Sequence, residues 1–266
     1  MKKTIEGENS IYEFTFSEFM EIQKIDYSKK NSSYQSQVFG NKEFFGTMDF
    51  KESMYLLENG QKEKPLEIRD FLKDLNFSST ENEMILSYEG FSIDISEYST
   101  GNPECMVNLL ETEKENKNIT IYYNCSYNGN IDSETIKYYG QMILSLIEIL
   151  ESKNINIKLI TIDRTADSNR VIHNISIILK DFSESMDRDR ISYCLSNNSF
   201  LRRNLFKMYE HILEENYRKD FLSGYGTAIC DLNKVNETDI FISSPYANKK
   251  REYFIEQLKT ILEKYK

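Results

Sequence analysis

The sequence predicts an open α/β sheet that is mostly parallel and has helices on its flanks. Three features of the second half carry this prediction: a strand at 118–125, an amphipathic helix from about 132 to 151, and a strand at 154–163. A strand, a long helix and a second strand form a βαβ unit, whose two strands run parallel. Strands and helices alternate through the rest of the chain, which is typical of an α/β domain.

The long helix has a clear start and a clear buried face. Asp132 or Ser133 caps it, because short polar side chains accept hydrogen bonds from free amides at a helix start. We predict further strands at 174–180 and 239–244, two helices across 187–219, and a C-terminal helix. The apolar residues of the long helix recur at helical spacing, as expected for one buried stripe: Ile136, Tyr139, Ile143, Leu146, Ile147 and Leu150.

A charged, apolar-poor segment at 111–118 suggests a boundary in the chain. It divides the sequence into an N-terminal α+β portion, residues 1–115, and a sheet domain, residues 116–266. The sequence leaves open whether the first portion folds independently or wraps around the sheet of the second.

Two local patterns define the N-terminal portion, in addition to a short helix at 16–25. Asp49 followed by Glu52 forms a capping box, and Gly60 ends the helix that it starts. The runs MILSY and FSIDI flank Glu89-Gly90, and two such runs around a two-residue turn predict a β-hairpin.

Composition excludes several classes of protein. A net charge of −10 argues against a surface that wraps nucleic acid broadly, although it permits a local basic patch. No run approaches the roughly 20 apolar residues of a membrane span, so we expect no membrane partner. The cysteines form no closely spaced pairs, which argues against structural zinc and favours reduced thiols in the cytoplasm; they are Cys105, Cys125, Cys194 and Cys230.

A first candidate metal site follows the predicted strand at 174–180. Asp181, Ser183 and Ser185 spell D-x-S-x-S, which resembles the start of the metal-ion-dependent adhesion site of von Willebrand A domains. One carboxylate and two hydroxyls form a sound partial shell for Mg²⁺, which prefers oxygen ligands. The alternative is that Ser183 or Ser185 caps a helix that starts near Met186.

A second candidate lies at the end of the first strand of the βαβ unit. Ligands of open α/β sheets bind beyond the carboxyl ends of strands. There the pattern is Asn124-x-Ser126-x-Asn128, with Asn where a metal site needs Asp. If this half is a von Willebrand A-like or Rossmann-like fold, its metal site has therefore decayed, and an ordinary polar turn is the alternative interpretation.

The third candidate is a basic segment at 200–219. Arg202, Arg203, Lys207, Arg218 and Lys219 stand among aromatic residues, a combination that suits RNA or single strands. Apolar residues at helical spacing and interspersed glutamates favour instead a solvated amphipathic helix.

Motifs of common enzymes are missing. The chain contains no G-x-G-x-x-G, no G-x-x-x-x-G-K-[ST] and no G-x-S-x-G. His173 and His211 have no evident nucleophile beside them in the sequence. We therefore predict a protein without catalytic activity and without a cofactor, apart from the Mg²⁺ alternative.

Three segments resemble a family of uncharacterised proteins found mainly in tailed phages. They are 44–60, 92–108 and 200–212, and one departure is that Gln61 stands where the family has Trp after the first motif. The resemblance implies phage origin and brings no assigned activity. The matching positions are Gly46, Phe50, Gly101, Pro103, Cys105, Met106, Arg202, Arg203 and Phe206.

Together these patterns predict a binding or assembly protein of the host bacterial cytoplasm, with a protein as its partner. The predicted contact residues are Asn124, Ser126, Asn128, Arg202 and Arg203. Two alternatives remain from other classes. One is an RNA- or single-strand-binding protein using the basic segment 200–219, and the other is a Mg²⁺-dependent enzyme or adhesion module.

Overall fold

The structure is a computed structural model. It describes residues 2–6, 9–26, 35–62, 84–89, 92–109, 117–166, 170–212, 227–229, 239–244 and 251–264. These residues form a large mixed sheet with helices packed on it, and a second, three-stranded antiparallel sheet. The α/β class predicted from the sequence is confirmed.

Five strands make the centre of the large sheet. The strands of the described residues are β1 (Lys2–Glu6), β2 (Asn9–Thr15), β3 (Met84–Ser87), β4 (Ser92–Ile93), β5 (Met106–Leu109), β6 (Lys117–Asn124), β7 (Ile155–Ala166), β8 (Ile172–Lys180), β9 (Thr227–Ala228) and β10 (Ile240–Ile242). The central order is β2, β8, β7, β6, β10, and every neighbouring pair except β7 with β8 is parallel. The strands β1 and β9 add antiparallel to β2 and β7.

In chain order, a helix comes after four of the five central strands, all except β7. The helices of the described residues are α1 (Phe16–Lys24), α2 (Lys42–Phe45), α3 (Phe50–Asn59), α4 (Ile95–Ser99), α5 (Ser133–Ser152), α6 (Arg188–Ser196), α7 (Phe206–Ile212) and α8 (Arg251–Lys264), with a π-helical turn at Phe200–Leu205 before α7. None of the helices in the described ranges has both the length and the apolar character that a membrane crossing requires.

The predicted βαβ unit is present as β6, α5 and β7. Asp132 caps α5, where its carboxylate accepts a hydrogen bond from the Thr135 amide at 2.8 Å. All six residues of the predicted apolar stripe are buried in one core with the inward side chains of the sheet. Each fully buried aliphatic side chain contributes about 1.5–3 kcal/mol, so this stripe fixes α5 on the sheet. A Cβ added at Gly140 would lie 2.5 Å from the Leu195 carbonyl carbon, which shows how closely α5 approaches α6.

The capping signals of the N-terminal portion are confirmed with one change. Asp49 accepts a hydrogen bond from the Glu52 amide at 2.8 Å, and Gly60 ends α3 with a φ of +77°. Glu52 itself accepts from the amide of Met48 at 2.7 Å, one residue before the cap. The predicted helix at 16–25 is α1, which Thr15 caps.

The described residues between 2 and 60 belong to the large sheet and its helical layer. The strand β2 pairs in parallel with β8 over its whole length, and α3 packs on α6 and on the π-helical turn. Of the two arrangements that the sequence left open, the described residues before α3 ends therefore wrap around the C-terminal sheet. Strands β1 and β2 were not predicted.

The predicted β-hairpin at Glu89-Gly90 is wrong. The strands β3 and β4 do not pair with each other; both pair antiparallel with β5, in the order β3, β5, β4. Pairing with the apolar strand Met106–Leu109 places a partner between the two runs, so that the nearest runs in sequence are not neighbours in the sheet.

Candidate functional site

The candidate site lies where β6 ends and the chain turns into α5. The strand β7 continues beside this turn, because Asn124 is level with Ile162 and β7 extends to Ala166. The loop 125–131 therefore stands at the carboxyl edge of two parallel strands, directly before a long helix. Ligands of open α/β sheets bind at this position.

Two of the predicted contact residues are bound inside the protein. Asn124 accepts a hydrogen bond from the Ser126 amide at 2.9 Å and donates one to the Ile229 carbonyl at 2.9 Å. The Ser126 hydroxyl donates to the Asp163 carboxylate at 2.6 Å and accepts from the Arg164 amide at 2.6 Å. Asn124 and Ser126 are buried, whereas Asn128 is exposed. Of the predicted N-x-S-x-N pattern, only Asn128 faces solvent.

Asp163 is the centre of this buried network. Burial raises the pKa of its carboxyl, and hydrogen bonds from Ser126 and Tyr209 act against that shift. Burial also raises the pKa of the neighbouring Cys125 thiol well above its ordinary value, with Asp163 as the second cause. A serine nucleophile needs access to a substrate and a base that takes its proton. Ser126 does hydrogen-bond to a carboxylate, that of Asp163, but it is buried and out of reach of a substrate, so the network is suited to holding the loop.

Arg202 holds the strand-end loop and α2 together. Its Nη1 donates to the Phe44 carbonyl at 2.6 Å, and its Nη2 lies 3.3–3.4 Å from the carbonyls of Asn128, Gly129 and Ile131. The guanidinium also stacks on the ring of Phe44 at 4.2 Å. The side chain is only 3% exposed, so the sequence-based picture of Arg202 as an open contact residue is corrected.

Arg203 makes a similar connection to a different segment. It donates to the carbonyls of Ser36, Val38 and Thr47 at 3.0, 2.9 and 2.8 Å, and it stacks on the Phe45 ring at 4.5 Å. Like Arg202 it is buried, and its two terminal nitrogens donate to main-chain carbonyls. Because the two arginines follow each other in the π-helical turn, their side chains reach neighbouring parts of one N-terminal segment.

Lys207 and Glu210, in the described part of the basic segment, are also turned inward. Lys207 is buried, donates to the Ile25 carbonyl at 2.7 Å and lies over the Phe50 ring at 4.3 Å. Glu210 is buried and accepts a hydrogen bond from the Ser36 amide at 3.1 Å. The expectation of a solvated basic helix is therefore wrong for residues 200–212. Arg218 and Lys219 lie outside the described residues.

What faces solvent here is the segment that the arginines hold. Phe39 is 75% exposed, and Val38 and Met48 are exposed beside it. The Gly40 amide donates to the Met48 carbonyl at 2.7 Å, which closes the segment into a loop. Gly40 and Asn41 have φ values of +90° and +48°, in the left-handed region that allows this tight turn.

A cavity of about 270 Å³ opens next to this segment. It lies between α2, the strand-end loop and the first residues of α5. Its walls carry amide, carboxyl and aromatic groups, with the Arg202 guanidinium at one side. The residues are Asn41, Glu43, Phe44, Gly129, Asn130, Ile131, Asp132, Ser133 and Arg202.

The D-x-S-x-S segment has a different organisation from the predicted metal site. Asp181 accepts hydrogen bonds from the Phe182 amide at 2.7 Å and from Lys158 Nζ at 3.1 Å, and these two partners lower its pKa. Ser183 and Ser185 are exposed. The helix that follows is α6, and Asp187 caps it, so the predicted cap at Ser183 or Ser185 is wrong.

No group of three His, Cys, Asp or Glu side chains that could hold a metal ion occurs in the described ranges. The Asp181 carboxylate pairs with the ammonium group of Lys158, which takes the place that a metal ion would have. The Mg²⁺ site of Asp181, Ser183 and Ser185 stays a prediction that this ion pair disfavours.

Sequence reasoning missed Asp163, Tyr209 and Phe39. Asp163 had a visible signal, because it is an acidic residue near the end of the apolar run NINIKLITID. The Tyr209 hydroxyl lies 3.5 Å from the Asp163 carbonyl and is fully buried, a contact between distant parts of the chain that no local pattern shows. Phe39 stands before Gly40 in a polar stretch, which is a signal for an exposed turn.

The comparison with known families decides membership and nothing further. A profile described as a domain of unknown function (DUF7192) matches residues 4–266. The chain belongs to the DUF7192 family. Neither a curated protein nor a solved structure matches it. Membership assigns no activity, and the phage origin and the von Willebrand A-like half stay predictions.

Proposed function

We propose that the protein is a binding protein without catalytic activity. Its contact surface would be the exposed segment 38–48 together with the strand-end loop 124–130. One observation carries the proposal. Two consecutive buried arginines bind the main chain of a segment whose aromatic side chain, Phe39, is exposed to solvent.

Burying a guanidinium is costly unless its donors are satisfied. Here main-chain carbonyls of the segment and of the loop accept hydrogen bonds from both terminal nitrogens of Arg202 and of Arg203, while the buried Arg203 Nε has no acceptor among the described residues. The result is a surface fixed before any partner arrives. Rigid presentation reduces the entropy lost on binding, and exposed aromatics are frequent anchors of protein interfaces.

The proposed partner is a folded protein. Phe39 offers an apolar anchor to it, and the cavity of about 270 Å³ beside the segment could receive a side chain of the partner. Anchors that pair with pockets are the usual core of such interfaces. The predicted contact residues then act in two ways: Asn128 touches the partner, and Arg202 and Arg203 position the surface.

Absence of catalysis is part of this proposal. In the strand-end network, Ser126, Cys125 and Asp163 are buried and hydrogen-bonded internally. Of the carboxyls that line the cavity, that of Asp132 is held by the amide and the hydroxyl of Thr135 as the cap of α5. The resemblance to tailed-phage proteins and the scattered cysteines support the host bacterial cytoplasm as the proposed location.

The test compares Phe39→Ser with Tyr55→Ser, a substitution of an equally prominent exposed aromatic on α3. A protein retained by the wild type is identified, purified and titrated by calorimetry against both variants. We expect Phe39→Ser to raise Kd by roughly tenfold or more, a loss of about 1.4 kcal/mol or more. Tyr55→Ser should leave Kd unchanged. Equal affinity of the wild type and Phe39→Ser would refute this surface.

A further inference from the structure

The net charge of the protein is concentrated in one part of the chain. Between Asp74 and Glu113 the sequence contains nine acidic residues and no Lys, Arg or His. Nearly the whole net charge of −10 therefore belongs to these residues, and the rest of the chain is close to neutral. Such segregation is an electrostatic feature that selects partners of opposite charge.

The described middle of this acidic segment is the small sheet β3–β5–β4 with α4. Among residues 86–89 and 92–107 none is buried. Five large apolar side chains are exposed in addition to the acidic ones. They are Leu86 (40%), Tyr88 (69%), Ile93 (51%), Ile95 (80%) and Tyr98 (66%).

Both faces of this sheet carry exposed apolar groups. Leu86 is level with Val107, whereas Ile93 is level with Met106, so Leu86 and Ile93 point to opposite faces. Small sheets are marginal in water, and clustered exposed apolar side chains usually mark an interaction site. The acidic segment therefore combines two features. One is apolar surface whose burial by a partner is favourable, and the other is a charge of one sign.

We infer that the small sheet β3–β5–β4 and α4 bind a protein region that presents apolar side chains flanked by lysines or arginines. The negative charge of this surface determines which kind of partner can bind to it. A second copy of the same surface, a nucleic acid and an anionic membrane would each bring negative charge against Glu89, Glu97 and Glu104. The described carboxylates also form no cluster of three that could hold a metal ion. This surface does not include Phe39, and the inference does not depend on the function proposed above.

The chain contains no tryptophan, which allows a site-specific test. Tyr98→Trp places a single indole in the acidic segment, and Tyr55→Trp places one at a matched position, since these tyrosines are 66% and 64% exposed. The probe is a short synthetic peptide that alternates lysine and leucine, and its control alternates lysine and serine. The emission of each variant is followed during titration.

We expect the lysine–leucine peptide to shift the emission of Tyr98→Trp to the blue and to leave Tyr55→Trp unchanged. The lysine–serine peptide should bind roughly tenfold more weakly, because it lacks apolar groups. Glu89→Gln with Glu104→Gln should weaken binding roughly three- to tenfold, and Glu21→Gln with Glu58→Gln should not.

Two results would overturn the inference. Equal binding of both peptides, or an equal effect of the two glutamine pairs, would show general attraction to an acidic protein. A marked fall in Tm of the unbound protein on Ile95→Ser with Tyr98→Ser would show that the chain itself covers these side chains. Substitution of side chains that are exposed should leave Tm nearly unchanged.

Discussion

The substitution Arg203→Lys tests whether the arginine acts as a clamp or only as a buried charge. Lysine keeps the positive charge but not the planar fork that reaches several carbonyls at once. In the wild type the guanidinium donates to three carbonyls, those of Ser36, Val38 and Thr47, and stacks on Phe45. A shorter reach and a single nitrogen would leave at least two of these carbonyls unpaired.

Hydrogen bonds to a charged group contribute about 1.5–3 kcal/mol each, so the loss of two predicts a fall of about 3–6 kcal/mol in the free energy of unfolding. For a domain of this size that corresponds to a Tm lower by roughly 6–24 °C. Urea unfolding followed by circular dichroism measures the free energy, and differential scanning calorimetry measures Tm.

The matched control is Arg188→Lys on α6. Arg188 is partly exposed and pairs with Glu148 at 2.7 Å, and ion pairs of this kind contribute about 1 kcal/mol or less. If Arg203→Lys also changed the free energy of unfolding by less than about 1 kcal/mol, the reasoning about the clamp would be wrong.

Three further predictions concern buried ionisable groups. Because burial raises the pKa of Asp163, the folded state keeps its proton to higher pH than the unfolded state does. The wild type should therefore lose stability as pH rises from about 3.9 through the raised value, and Asp163→Asn should not; parallel pH curves of urea unfolding would contradict this. Burial lowers the pKa of Lys207 to about 8. Since the unfolded value is about 10.4, the wild type should gain stability relative to Lys207→Met as pH rises between these values, and a constant difference would count against it. Cys125 and Cys194 are buried and Cys105 is partly exposed, so iodoacetamide should label Cys105 first in the native protein, as peptide mass spectrometry can measure. Labelling of all three at one rate would speak against the fold.

The sequence predicted elements whose signals are local. The cap at Asp49 and the stripe of α5 are set by residues of a single helix, and the βαβ unit joins elements that follow one another in the chain; all three are confirmed. Residues 2–15 gave no such signal, because β2 joins the sheet by pairing with β8 more than 150 residues later. The wrong hairpin has the same cause, since pairing with β5 competes with a short turn.

The sequence predicted the position of the strand-end loop but not the burial of the arginines beside it. The strand-end loop and Arg202 are indeed neighbours, which the topology of an α/β sheet made foreseeable. Whether an arginine faces solvent or a set of carbonyls depends on contacts across more than 150 residues, such as Arg202 with Phe44. An amphipathic pattern cannot distinguish these cases, because arginine and lysine have long apolar stems that pack well when buried.

Hydrogen exchange in the native wild type tests the central claim most directly. The claim is that buried arginines hold an exposed segment rigid, so that Phe39 lies in solvent while the main chain next to it is fixed. The Gly40 amide donates to the Met48 carbonyl at 2.7 Å, and we predict that it exchanges slowly, like the amides of α3. Exchange of Gly40 at the rate of an unfolded chain would contradict the account.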